Sequence, residues 1–106
     1  MLHVLAIITA KPGQREAILE EFRANMPTVR AEKGCIEYAP AIDAEGAGAA
    51  IQTALGEDSF VVIEKWESAA ALEAHAKSPH MAAYGARTRP LIASRVIHVL
   101  SPATEP

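Results

Sequence analysis

The stretch from Phe60 to Tyr84, which reads FVVIEKWESAAALEAHAKSPHMAAY, is the feature that most constrains how this chain folds. It begins with an apolar run of β-branched and aromatic residues, which predicts a strand over Phe60 to Trp66. Ser68 follows as the predicted N-cap of a short helix over Ala69 to Lys77, because its side chain can accept a hydrogen bond from the first turn. Ser78-Pro79 then predicts a second N-cap, with proline at the first helical position, where a missing N–H costs nothing.

The rest of the chain predicts further strands around one long helix. In chain order these are a strand over Leu2 to Thr9, a helix over Gln14 to Glu32 with Gly34 as its C-cap glycine, strands over Cys35 to Ile42 and Ile51 to Leu55, and a final strand over Ile92 to Leu100. Between the strands lies a small, glycine-rich loop over Asp43 to Ala50. The order β-α-β-β-β-α-α-β predicts an α+β fold, with a ferredoxin-like antiparallel sheet and helices on one of its faces.

Composition narrows the class of protein. The 106 residues predict one domain over 1–106, of which 101–106 form a polar tail. With 10 basic and 13 acidic residues and no basic cluster, nucleic acid is not an expected partner. The single cysteine, Cys35, excludes an internal disulfide and a cysteine-based zinc site. The apolar run at Leu2 to Ala10 is too short to span a membrane, so we expect a cytoplasmic protein with no membrane partner.

The strands carry apolar residues on both faces, although the predicted helices cover only one. The other face is therefore expected to pack against a second copy of the chain, which predicts a homodimer. The terminal strand is expected to take part, and a charge inserted at Ile97 or Val99 is expected to weaken the dimer.

Three segments resemble a known family: KPGQREAILEEF, PTVRAEKGCIEYAPAID and VIEKWESAAALEAHAKSPHMAAY. They are similar to the antibiotic biosynthesis monooxygenase superfamily, and within it to the bacterial quinol monooxygenases, over about Met1 to Ser101. The resemblance implies a dimeric α/β barrel with a pocket between sheet and helices in each subunit. It also implies oxidation of a quinol or related polyphenol by O₂ to a quinone, with no metal, flavin or haem as cofactor. Two alternatives stay open: a non-catalytic module that binds small aromatics or quinones, and an isomerase of the same fold.

Two histidines are the candidate catalytic residues. His75 is predicted on the inward side of its short helix, where an imidazole could accept a phenolic proton; the alternative is a histidine hydrogen-bonded at the edge of the core. His80 lies in the first turn of the last helix and is the second candidate base. Because Ser78-Pro79 interrupts the His75–His80 spacing and no carboxylate is spaced on the same face, no metal is predicted.

Four further residues are candidates for binding the substrate. Trp66 could stack on a flat aromatic ring or pack its strand against the helices. Tyr84 shares a helix face with His80, four residues earlier, and could either contact the substrate or reach water. Tyr38 and Arg87 are weaker candidates for the pocket wall.

Overall fold

The computed structural model describes residues 1–46, 48 and 50–104. Ala47 and Ala49 of the predicted glycine-rich loop, and Glu105 and Pro106 of the predicted tail, lie outside the described residues.

The described residues form one four-stranded antiparallel sheet with the order β2-β3-β1-β4 and helices on one face. This confirms the predicted ferredoxin-like α+β fold. The elements are β1 Leu2–Ala10, α1 Arg15–Arg30, β2 Cys35–Ala41, β3 Ser59–Trp66, α2 Ala69–Ala76, α3 Pro79–Thr88, a 3₁₀ turn Arg89–Leu91 and β4 Ile92–Leu100.

The core lies between the sheet and the helices because alternate strand residues point to that side. On β1 the inward residues are Val4, Ala6, Ile8 and Ala10; on β3 they are Phe60, Val62, Glu64 and Trp66; and all are buried. The α1 residues Ile18, Phe22 and Val29 are buried on the same core, as their helical spacing predicts.

Both predicted helix starts are confirmed by capping hydrogen bonds. The Ser68 hydroxyl oxygen accepts from the backbone N–H of Ala71 at 3.1 Å, which begins α2. The Ser78 hydroxyl oxygen accepts from the backbone N–H of Met81 at 3.3 Å, and Pro79 occupies the first turn of α3. These two caps fix where the helices begin, and therefore the direction in which His75 and His80 leave the backbone.

The predicted strand over Ile51 to Leu55 is wrong, because the segment is irregular. The carboxylate of Asp43 accepts hydrogen bonds from the backbone N–H groups of Leu55 and Gly56, at 2.8 and 3.0 Å. Those donors are thus used within the loop instead of in a sheet ladder. Ile51 is 91% exposed, so the segment also lacks a buried face of the kind that stabilises a strand.

The prediction for Gly34 is also wrong, because α1 ends at Arg30 with Ala31 as its C-cap. Gly34 instead lies at the entry to β2 with a positive φ of 85°, which favours glycine. A β-carbon at this position would lie 2.5 Å from the β-carbon of Ala71, so the residue also permits α2 to pack closely. The turn over Ala31 to Gly34 carries Glu32 away from the helix and toward α2.

The sheet face opposite the helices is apolar and open. Its central rows pair Ile7 with Val61 and Val96, and Leu5 with Ile63 and His98. Ile97 and Val99 do not belong to this face, because they pair with the inward residues Ala6 and Val4. The structure thus places these two positions on the helix side of β4, and the effect of a charge there on a dimer stays a prediction.

Among the described residues, no helix is both long enough and apolar enough to cross a membrane.

Candidate functional site

A cavity of about 800 Å³ lies on the helix side of the sheet. Sheet residues form its floor and residues of α2 and α3 form its sides, and most of this lining is apolar. Three of the polar residues on the wall, Tyr38, Glu64 and His75, are each at least nine-tenths buried. A mostly apolar cavity with a few polar groups is the usual form of a small-molecule site.

His75 is held in the cavity wall by Glu32. Its Nδ1 lies 2.8 Å from Oε2 of Glu32, and the side chains are only 6% and 14% exposed. Since the carboxylate is an acceptor, Nδ1 is the nitrogen that carries the proton in the neutral imidazole, and the other ring nitrogen, Nε2, then has a lone pair. Among the described residues, no side-chain nitrogen or oxygen that is shielded from solvent lacks a hydrogen-bond partner. Because no partner is found for Nε2, it must reach open space, and the cavity is the open space that His75 lines.

His80 binds the same carboxylate oxygen from the outer side. Its Nε2 lies 3.0 Å from Oε2 of Glu32 and 3.2 Å from the hydroxyl of Ser78, and its side chain is 25% exposed. The Ser78 hydroxyl donates to the backbone carbonyl of His75 at 2.8 Å. His80 is not part of the cavity wall, so its contact with Glu32 is its link to the cavity.

Glu32, His75 and His80 are the described residues that could hold a metal ion, since their ligand atoms lie within 4.8 Å of one another. The sequence argument considered only carboxylates spaced on the same helix face, whereas Glu32 reaches the two histidines from the turn after α1. The two contacts to Oε2, at 2.8 and 3.0 Å, are hydrogen-bond lengths. Two ligands of a tetrahedral zinc lie roughly 3.3 Å apart. The cluster is thus built as a hydrogen-bonded unit, and the absence of a metal stays a prediction.

Trp66 is fully buried beneath the site and does not line the cavity. Its ring packs against that of His75, with centroids 4.6 Å apart, and its indole N–H donates to Oε1 of Glu64 at 2.8 Å. It therefore supports two wall residues from behind, which is the packing alternative considered for it.

Tyr38 lies in the wall and is 3% exposed. Its ring stacks on Phe22 with centroids 4.8 Å apart and meets the edge of His75 at 5.5 Å. Burial, together with the nearby Glu64, raises the pKa of its phenol well above the usual range, so Tyr38 stays protonated and can donate a hydrogen bond into the cavity.

Tyr84 and Arg87 leave α3 in different directions. Tyr84 lines the cavity, and burial raises the pKa of its phenol to about 12. Arg87 donates to the carboxylate of Glu21 at 2.7 Å on the surface and is not part of the cavity wall.

Two glutamates in the site were missed by sequence reasoning. Glu64 lies in β3 between Val62 and Trp66, on the face of the strand that points to the core. A carboxylate among core-facing residues was the signal that could have identified it as a site residue. Glu32 gave no comparable signal, because its contact with His75 spans 43 residues and depends on how α1 and α2 pack.

The chain belongs to the antibiotic biosynthesis monooxygenase family, whose sequence profile matches residues 1–87. It is 44% identical over 104 residues to the Escherichia coli protein named "Probable quinol monooxygenase YgiN", an alignment that covers 96% of this chain and 98% of the relative.

Solved structures share the same fold. The crystal structure of PA3566 from Pseudomonas aeruginosa superposes with a TM-score of 0.78 at 31% identity, covering 97% of this chain and 94% of the other. The structure of Rv0793 from Mycobacterium tuberculosis gives 0.79 at 28% identity, covering 98% and 96%.

Proposed function

We propose that this protein is a monooxygenase that oxidises a quinol or a related polyphenol with O₂ to a quinone, without a cofactor. Three things support the proposal: membership of the family, the 44% identity to a protein named a quinol monooxygenase, and a mostly apolar cavity that carries a histidine in its wall. The cavity volume of about 800 Å³ is ample for a bicyclic aromatic.

The observation that carries the proposal is the hydrogen bond between His75 and Glu32. With Nδ1 held by the carboxylate at 2.8 Å, Nε2 presents its lone pair to the cavity. An imidazole in this arrangement is a competent general base toward a phenolic hydroxyl. After it accepts the proton, Glu32 stabilises the imidazolium across the same hydrogen bond.

Deprotonation prepares the substrate to reduce O₂ itself. A quinolate is electron-rich, so it can supply the electrons that in other oxygenases come from a cofactor. One quinol and one O₂ give one hydroxylated quinone and one water when an oxygen atom is inserted. They give one quinone and one H₂O₂ when only electrons and protons are transferred. The apolar residues that line the cavity reduce the contact between the reactive quinolate and water.

The remaining candidates have supporting parts in this proposal. Tyr38 and Tyr84 contribute protonated phenols and ring surface to the wall. Trp66 fixes the ring of His75, and His80 fixes the carboxylate of Glu32. Arg87 is left out of substrate binding because it is paired with Glu21.

The working unit in this proposal is a homodimer joined through the open sheet face. Leu5, Val96 and Leu100 are 37%, 49% and 43% exposed on that face of a single chain. A second copy supplies an identical apolar sheet, and a standard interface of about 800 Å² per partner would cover it. The cytoplasmic location stays a prediction from the sequence.

The test is O₂ consumption with a chemically reduced naphthoquinol in chelator-treated buffer. The proposal expects a rate that exceeds autoxidation and scales with protein concentration. Consumption equal to autoxidation for every quinol tried would remove the proposed activity. Thermal stabilisation by quinones with no turnover would instead identify a binding module.

A further inference from the structure

Glu64 is a buried carboxylate that the proposed reaction does not use. It is 8% exposed and lines the cavity. Its Oε1 accepts the indole N–H of Trp66 at 2.8 Å. No partner is found for Oε2 in the described part of the chain, where every shielded side-chain nitrogen and oxygen has one. Oε2 must therefore reach open space, which places it at the cavity surface.

When its carboxyl is ionised, Glu64 has a free oxygen that is a strong hydrogen-bond acceptor, because a buried carboxylate is poorly solvated. Burial raises the pKa of this carboxyl, whereas the Trp66 hydrogen bond and the nearby His75 lower it and Glu32 raises it. A carboxylate held in such a place is stabilised by any occupant that donates a hydrogen bond to it. An occupant whose facing group is only an acceptor places its lone pair against that of the carboxylate oxygen, and the two groups repel each other.

A quinol and its quinone differ in this respect. The two oxygens of a quinol each carry a hydrogen that can be donated, whereas the same two oxygens in the product quinone, hydroxylated or not, are carbonyls that can only accept. Oxidation therefore turns the group that faces a carboxylate from a donor into an acceptor without changing the shape of the ring system.

We propose that Glu64 makes the cavity select the reduced, hydroxyl-bearing form of its substrate and expel the oxidised product. In the bound quinol one hydroxyl faces Nε2 of His75 and another hydroxyl donates to Oε2 of Glu64. Once both hydroxyl hydrogens have passed to the reduced oxygen, which leaves as water or H₂O₂, Glu64 is still a carboxylate, so the carbonyl facing it is repelled and the quinone leaves. The inference rests on the proposed function, since it assigns the cavity to a quinol.

The size of the preference follows from the strength of a hydrogen bond to a charged group. Such bonds correspond to a difference in affinity of about 10- to 100-fold. We therefore expect the wild-type protein at pH 8 to bind a naphthoquinol about 10- to 100-fold more tightly than the matching naphthoquinone.

The experiment measures both dissociation constants by calorimetry under argon, with 1,4-naphthohydroquinone and 1,4-naphthoquinone as probes. In Glu64→Gln the amide can donate to a carbonyl and no charge repels it, so the ratio of the two constants should fall to about one. Glu73→Gln, on the exposed surface of α2, is the matched control and should keep the wild-type ratio.

Two outcomes overturn the inference. In the first, the wild-type protein binds the quinone at least as tightly as the quinol. This outcome can be measured even if the variant does not fold. The other is a folded Glu64→Gln variant that keeps the wild-type ratio. If the wild type consumes O₂ with the quinol while either outcome is found, only the role of Glu64 fails. If it neither consumes O₂ nor binds either probe, the proposed function fails as well.

Discussion

Glu32 and His75 are 43 residues apart in the sequence and meet through a 2.8 Å hydrogen bond between Oε2 and Nδ1. Glu32 comes from the turn after α1 and His75 from α2, so the bond exists only when both elements are packed on the sheet. It selects the ring tautomer whose free nitrogen faces the cavity.

Replacing the carboxylate tests this relationship. Glu32→Gln should lower kcat for quinol oxidation by about 100-fold, because the imidazolium formed in the reaction loses its counter-charge and the tautomer is no longer enforced. The oxygen electrode gives kcat directly. Glu20→Gln, at an exposed position on α1, should stay within about twofold of the wild type. Equal rates for the two variants would show that Glu32 has no part in the chemistry.

His80 acts through Glu32 and does not touch the cavity. His80→Gln, whose side-chain amide can still donate to the carboxylate, should keep most of the activity. His80→Ala should lose about tenfold in kcat with an unchanged KM, because Glu32 is less well fixed while the cavity wall is intact. An increase in KM with unchanged kcat would place His80 in substrate binding instead.

Glu64 should make stability depend on pH. Its folded pKa is raised, mainly by burial, so ionisation is less favourable in the folded than in the unfolded chain. The resulting penalty is absent below about pH 4, where the carboxyl is protonated in both states, and is fully present above the folded pKa. Glu64→Gln should therefore unfold at higher urea than the wild type at pH 8, and the difference should shrink as the pH falls toward 4. A difference that does not change with pH would contradict the assigned cause.

Val96 and Ile97 provide a matched test of the proposed dimer, because they are neighbours in β4 and each is 49% exposed. Val96 pairs with Ile7 on the open face, whereas Ile97 pairs with Ala6 on the cavity side. Val96→Asp should weaken dimerisation by at least about 100-fold in sedimentation equilibrium, and Ile97→Asp should have the smaller effect. A stable, folded wild-type monomer at micromolar concentration would contradict the dimer.

Local signals in the sequence predicted much of this fold. Ser68 and Ser78 act as caps where their hydroxyls were expected, and the apolar run from Phe60 to Trp66 correctly predicted β3. The segment that begins at Ile51 was predicted as a strand because of its apolar residues. The Asp43 carboxylate, which holds the end of this segment in a loop, is distant in sequence and was not part of the local pattern.

The site was predicted less completely than the fold. His75 and Tyr38 lie in the cavity wall, but Trp66, on the same inward face of β3 as Glu64, packs against His75 and does not line the cavity. That arrangement depends on how α2 packs on the sheet, which local sequence patterns do not show. Glu32 could not be found from local patterns, because its role arises from a packed turn that Gly34 makes possible.

The central claim is that His75 is the base that starts oxidation of a quinol by O₂. The most direct measurement compares O₂ consumption by the wild type and His75→Gln with the same reduced naphthoquinol, at equal concentrations of folded protein. We predict that the wild type exceeds autoxidation by at least about 100-fold and that the variant falls to within about tenfold of it. A variant as fast as the wild type would contradict the claim.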